Sequence, residues 1–193
     1  MSSPPVSCAS FDAALASLRG VRYRSAVQVD ETPAPQRLAP YSVALSGSIA
    51  DETDEVASGR LVLLHDPEGV DAWMGVFRAV MFVRASVEMD VAADPLLPGV
   101  GWAWLTESLH EARCEVAALG GTVTQVSSEG FGTLAAEPGQ ALARGHVEIR
   151  ASWTPTQPAA QIGNSARAWA CLLAQAAGLL PAPVAVTSDL VEH

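Results

Sequence analysis

Residues 65–71, His-Asp-Pro-Glu-Gly-Val-Asp, gather ligand-type side chains within one turn's length of chain: His65, Asp66, Glu68 and Asp71. An imidazole beside carboxylates at a strand end is a donor set for a divalent ion. No second His or Cys joins it at a ligand spacing, however, and Asp-Pro followed by Glu-Gly is ordinary turn chemistry. The segment therefore reads as a turn closing or leaving a strand, with no metal and no other cofactor expected. An enzyme whose site gathers around His65 without a local motif stays open as the alternative.

Other nucleophiles and bases find little support. Cys8, Cys114 and Cys171 form no Cys-x-x-Cys, and Cys114 and Cys171 fall in helical stretches. There is no Gly-x-Ser-x-Gly elbow, and the sequences GVGW and GFG have neither the P-loop lysine nor the dinucleotide-binding spacing. His110 falls on a helix, His146 on the polar face of a strand and His193 at the terminus, none with an evident orienting partner.

The second group able to act chemically is made of arginine. All eleven basic residues are Arg, against 21 acids, for a net charge of −10. Such a balance disfavours sequence-independent binding to nucleic acid or an anionic membrane. Arg78 and Arg84 stand six residues, three periods of alternation, apart in FRAVMFVRASVEM (77–89), and Arg144 and Arg150 do the same in ARGHVEIRASW (143–153). Period-two alternation puts them on one sheet face if the apolar positions of both strands are buried. Val80, Phe82 and His146 share that face. An apolar centre rimmed with arginine is a composition that protein interfaces favour. Arg78, Val80, Phe82, Arg84, Arg144, His146 and Arg150 are accordingly the expected partner-binding residues, for another protein or a second copy of the chain. A nucleic-acid contact through the same arginine stripe is disfavoured by the overall charge.

The elements that position these residues follow from periodicity. FDAALASLRG (11–20) has helical spacing and a glycine stop. VDETPAPQRLAP (29–40), with three prolines, reads as an extended connector, excluded from a central strand. YSVALSGSI (41–49) alternates as a half-buried strand, while RLVLLHD (60–66) is apolar on both faces and belongs inside a sheet. A second helix is expected within 94–116, a short strand opened by glycines at 120–130, and a last helix at 163–177. The result is an α+β class with order α-β-β-β-α-β-β-α: an antiparallel sheet with helices mainly on one face.

Val83-Arg84-Ala85-Ser86 recurs as Ile149-Arg150-Ala151-Ser152, and each is followed by Trp-x-x-Leu, at Trp102 and Trp169. These matches suggest a β-β-α pseudo-repeat over about 59–113 and 120–178, with Gly59 matched to Gly120 and the two Trp rings both directed at the sheet. The expected organisation is a disordered leader (1–9), a single domain (10–180) and an extended tail (181–193). AWACLLAQAAGLLPAPVAV (168–186) is uncharged, but its Gln, Gly and Pro residues argue for a buried helix and tail, so no membrane association is expected. The absence of a signal-type N-terminus and the odd cysteine count point to a reducing cytoplasm.

The element order resembles that of type III secretion chaperones and related chaperone-like proteins, which are small and acidic. The strings PAPQRLAPYSVAL (33–45), GRLVLLHDPEG (59–69), DPLLPGVGWAWL (94–105) and EIRASWTP (148–155) resemble an actinobacterial family known as a domain of unknown function, over about 10–183. That resemblance implies a bacterial cytoplasmic protein and assigns no catalytic residue. The reading reached is a non-enzymatic protein-binding or chaperone-like adaptor.

Overall fold

The computed structural model describes residues 8–35, 37–51, 54–131 and 144–179. The expected leader, apart from Cys8 and Ala9, and the expected tail lie outside them. The elements run α1 (Ala9–Arg19), β1 (Gln28–Thr32), β2 (Tyr41–Ala50), β3 (Glu55–Val70), β4 (Gly75–Val87), α2 (Met89–Ala93), α3 (Leu97–Glu111), β5 (Val116–Ser128), β6 (Arg144–Pro155) and α4 (Gly163–Ala176). The strands form one antiparallel sheet in the order β1-β2-β3-β4-β6-β5. This is the α+β arrangement expected, with an added edge strand and an added short helix, α2.

Alternation explains β4. Phe77, Ala79, Met81, Val83 and Ala85 are buried, while the residues between them face away from the core. They join Val147, Ile149, Ala151 and Trp153 of β6 and apolar residues of α1, α3 and α4 in one core. β3 is buried without interruption from Leu61 to His65, because both of its faces are covered. On the second face, Ala44, Val62 and Leu64 pack with Ala34 and Ala39 of the proline-rich connector and with Trp73.

Four expectations require correction. The connector does contribute a strand, β1, which lies at an edge, where the neighbouring prolines are tolerated. The strand expected over 77–89 stops at Val87, and a short helix, α2, forms over Met89–Ala93 ahead of Asp94-Pro95, before the helix expected within 94–116, which is α3. Gly120 and Gly121 do not open β5. It begins at Val116, bulges between Ala117 and Gly120, and needs Gly121 because a Cβ there would collide with the Arg150 carbonyl. The chain reversal after β3 comes later than expected: β3 continues through Asp66–Gly69 as an irregular stretch and turns at Asp71–Met74, where Met74 has a φ of 56°.

Val83 lies directly opposite Ile149, so the two four-residue echoes run in opposite directions from a shared pair. Across the hairpins, Gly59 faces Val83 and Val123 faces Ile149. Register thus aligns Gly59 with Val123, three positions beyond Gly120. The helices after Ser86 and Ser152 pack on the same face, each over the other half's strands: α3 on β5 and β6, α4 on β2, β3 and β4.

The two tryptophans are not equivalent. Trp169 is wholly buried, whereas Trp102 is half-buried and Gly101 beside it meets the sheet at Val123 and Ile149. Trp169 rests on backbone: a Cβ on Gly47 would fall 2.6 Å from its ring, and one on Gly59 would fall 3.0 Å from its Nε1 and 2.7 Å from the Phe82 carbonyl oxygen. Truncating Trp169→Ala should cost about 3–5 kcal/mol and Trp102→Ala clearly less. Gly47→Ala, which overpacks the same seat, should cost about 1–3 kcal/mol. Denaturant unfolding of the three variants measures the ranking.

Candidate functional site

The face of the sheet away from the helices carries the expected partner-binding residues in rows set by strand register. One row reads Asp30, Ser46, Arg60, Phe82, Arg150, Thr122 from edge to edge; the next reads Gln28, Ser48, Ser58, Arg84, Glu148, Thr124. Val62, Val80 and Ser152 share a third. Arg78, Val80, Phe82, Arg84, His146 and Arg150 therefore do come together on one face. Arg144 begins β6 opposite Ser128; its side chain lies outside the described residues.

These arginines divide by what they hold. Arg78 is clamped within the chain: Nη1 donates to the Ala118 carbonyl at 3.0 Å and to Thr154 Oγ1 at 3.2 Å, and Nη2 donates to Ser152 Oγ at 2.6 Å. Burial pushes its pKa down from the usual guanidinium value, yet an arginine remains charged in any protein. Its role is to tie β4 to β6 and to the β5 bulge, where Ala118 has a φ of 48°. Arg60 donates to the Pro33 carbonyl at 2.6 Å and so fastens the connector over β3.

Arg84 and Arg150 remain outward. Arg150 is 64% exposed; its guanidinium carbon lies 5.1 Å from the Phe82 ring centroid and its Nη2 donates to Glu148 at 3.0 Å. Glu148 also sits 3.6 Å from His146 Nε2, and Arg84 Nη2 approaches His146 Nδ1 at 3.4 Å. Exposed ion pairs of this kind contribute little to stability, well under about 1 kcal/mol each. Val80 is 40% exposed between them. Beside this patch, toward β1, Gln28, Asp30 and Glu55 together with the small Ser46, Gly47, Ser48, Ser58 and Gly59 line an open groove of about 210 Å³.

The His65 cluster is dispersed by alternation. His65 is 1% exposed on the core side of β3, while Asp66 is on the opposite side of the strand, and among the described residues no three His, Cys, Asp or Glu side chains converge to hold a metal. The partner of His65 is one that local spacing does not disclose. Its Nδ1 lies 3.0 Å from the Val76 carbonyl, which only accepts, so Nδ1 carries the proton and Nε2 accepts from the Cys8 thiol at 3.3 Å. Phe77 stacks on the ring at 4.1 Å between centroids, with Phe11 and Tyr41 at 6.0 and 5.9 Å. Composition assigns Cys8 to the leader; in the fold it caps the start of α1, and its thiol reaches this aromatic cage. The hint in the sequence is His65 itself, a polar ring directly after Leu61–Leu64, which are apolar on both faces. Cys114 and Cys171 are held above the usual thiol pKa by burial, Cys114 in contact with Ser165 Oγ at 3.4 Å, and neither is poised as a nucleophile.

A family model described as protein of unknown function (DUF3000) matches residues 7–187. The chain belongs to that family. No curated protein and no solved structure matches it. No helix among the described residues is long and apolar enough to cross a membrane.

Burial holds the His65 pKa below its ordinary value of 6.5, against smaller upward effects of the Val76 hydrogen bond and Asp66. Unfolded chains take up a proton near that value while the folded chain resists it. His65 therefore stabilises the fold fully above about 6.5, and this contribution is lost as pH falls through the folded value. The difference in unfolding midpoint between the wild type and His65→Gln should shrink as pH is lowered from 7.5 to 5. A constant difference would show that His65 is not held neutral.

Proposed function

We propose that the chain is a non-enzymatic, chaperone-like adaptor of the cytoplasm that takes another protein on the uncovered part of its outer sheet face. The observation that carries this reading is unequal covering. The connector and Trp73 lie over Ala44, Val62 and Leu64, yet in the adjoining strand Val80 is 40% exposed among the described residues and the Arg150 guanidinium lies over the Phe82 ring. An antiparallel sheet with a solvated side is normally polar throughout that side. Val80 and Phe82 break that pattern next to an open groove that would admit a projecting side chain. Arg84 and Arg150, on either side of Phe82, supply bidentate donors for carboxylates or carbonyls on the partner.

The enzymatic alternative draws on the Cys8–His65 hydrogen bond, which has the elements of a nucleophile and base. His65 is enclosed by three aromatic rings and its basicity is reduced by burial, so the pair is better suited to seating α1 on the sheet than to activating a thiol.

Affinity capture from native lysate with the wild type, Phe82→Glu and a control substitution at exposed Val91 tests the adaptor reading. Phe82→Glu should lose the partners that the Val91→Glu chain retains, and the Kd for an identified partner should rise at least tenfold, about 1.4 kcal/mol. Circular dichroism should be unchanged, because the buried Met81 and Val83 are untouched. A folded Phe82→Glu chain that retains every partner would remove the outer face from the function.

A further inference from the structure

The sheet has two edges of different construction. β1, at one, is five residues long, includes Asp30 and Glu31 and runs toward Pro33; such charges and prolines discourage a free edge from pairing with another chain. β5, at the other, is thirteen residues, Val116–Ser128, with neither charge nor proline. Among the described residues no strand pairs with its outer side. After the bulge that Arg78 anchors at Ala118, Gly120–Ser128 is in continuous register with β6, presenting a regular free edge rich in Thr and Val.

We propose that β5 is a self-association surface, on which two copies of the chain pair antiparallel about a two-fold axis and join their sheets into one. Charge argues for a second copy as the occupant. At a net charge of −10, two copies repel over most surfaces, and an edge free of charge is where they approach at least cost. The strand complements itself. Pairing centred on Val123 sets Val123 against its own copy, Thr122 against Thr124, Gln125 against Gly121 and Val126 against Gly120, with no acid opposed to an acid. Threonine pairs across strands are favourable. β1 paired with itself would bring Asp30 and Glu31 close to their own copies.

A second observation lies in the helical layer. α3 covers β5, and Gly101 meets Val123. At 100° per residue, Trp102 stands about 140° round the helix from Glu107, whose carboxylate accepts from Gln175 of α4. Trp102 is thus on the flank turned from α4 toward the free edge of β5, and it is half-buried there. A Trp beside an unpaired strand is the kind of anchor that interfaces use. This proposal is independent of the outer-face adaptor reading.

Thr122 and Thr124 are exposed and face one another across the proposed axis, so charges placed on them test it. Sedimentation of the wild-type full chain through the micromolar range should give twice the 20.1 kDa chain mass. Thr122→Glu with Thr124→Glu sets four carboxylates in opposition and should give the single-chain mass. Thr122→Lys with Thr124→Glu pairs Lys with Glu and should restore the double mass, which a merely misfolded edge would not do. A wild type that stays at single-chain mass overturns the proposal, as does a dimer indifferent to these pairs of substitutions. A dimer lost instead in Phe82→Glu would place the contact on the outer face. Open-ended polymers would mean that β5 meets a different surface and the two-fold pairing is wrong.

Discussion

The indole of Trp169 rests against the strand backbone at Gly47 and Gly59, which are partners in register, and its Nε1 donates to the Phe82 carbonyl at 3.4 Å. This contact sets how closely α4 lies on β2, β3 and β4. A wholly buried Trp contributes a large apolar area, and here the ring takes the space that side chains at Gly47 and Gly59 would fill. Once α4 is seated, Ser165 accepts from Trp153 Nε1 at 3.2 Å and meets Cys114, while Ser17 Oγ accepts from the Gly163 amide at 2.9 Å. The ends of α1, α3 and β6 are thereby referred to one helix.

With the helices committed to one face, the other has to be finished by loops. Beyond β1 the proline-rich connector suits this task because its prolines cannot continue a ladder; Ser42 Oγ donates to the Pro35 carbonyl and Arg60 to that of Pro33. Trp73 enters from the β3–β4 turn, its carbonyl accepting from Thr154 Oγ1. Among the described residues Val80 stays exposed and Phe82 half-buried under the Arg150 guanidinium, and the arginines that sequence grouped around them serve different ends: Arg78 is structural, whereas Arg84 and Arg150 face outward.

The near-identical tetrads at 83–86 and 149–152 acquire a physical meaning in the sheet. Val83 and Ile149 are opposite each other at the centre, both fully buried, and the polar residues that follow diverge from that pair along the outer face. Similar residues are wanted there because two adjacent antiparallel strands present equivalent surroundings about their midpoint. Farther from it the surroundings differ: Trp169 has a glycine seat, whereas Gly101 takes the corresponding approach to the sheet in α3, leaving Trp102 at the flank.

Local pattern in the sequence was sufficient for the α+β class, the alternation of β4 and β6, the interior character of β3 and the shared face of Arg78, Val80, Phe82, Arg84, His146 and Arg150, because period two constrains which side chains travel together regardless of what they meet. It could not reveal β1, whose five residues lack an apolar face and owe their strand form to pairing with β2. Nor could it join Cys8 to His65, 57 positions apart, or divide Arg78 from Arg84, since each depends on which carbonyl or thiol the fold brings within hydrogen-bond reach. Sequence periodicity is a property of neighbouring residues along one chain direction; strand order, the glycine seat under Trp169 and the reach of the connector arise from contacts between distant segments, and those only tertiary packing decides.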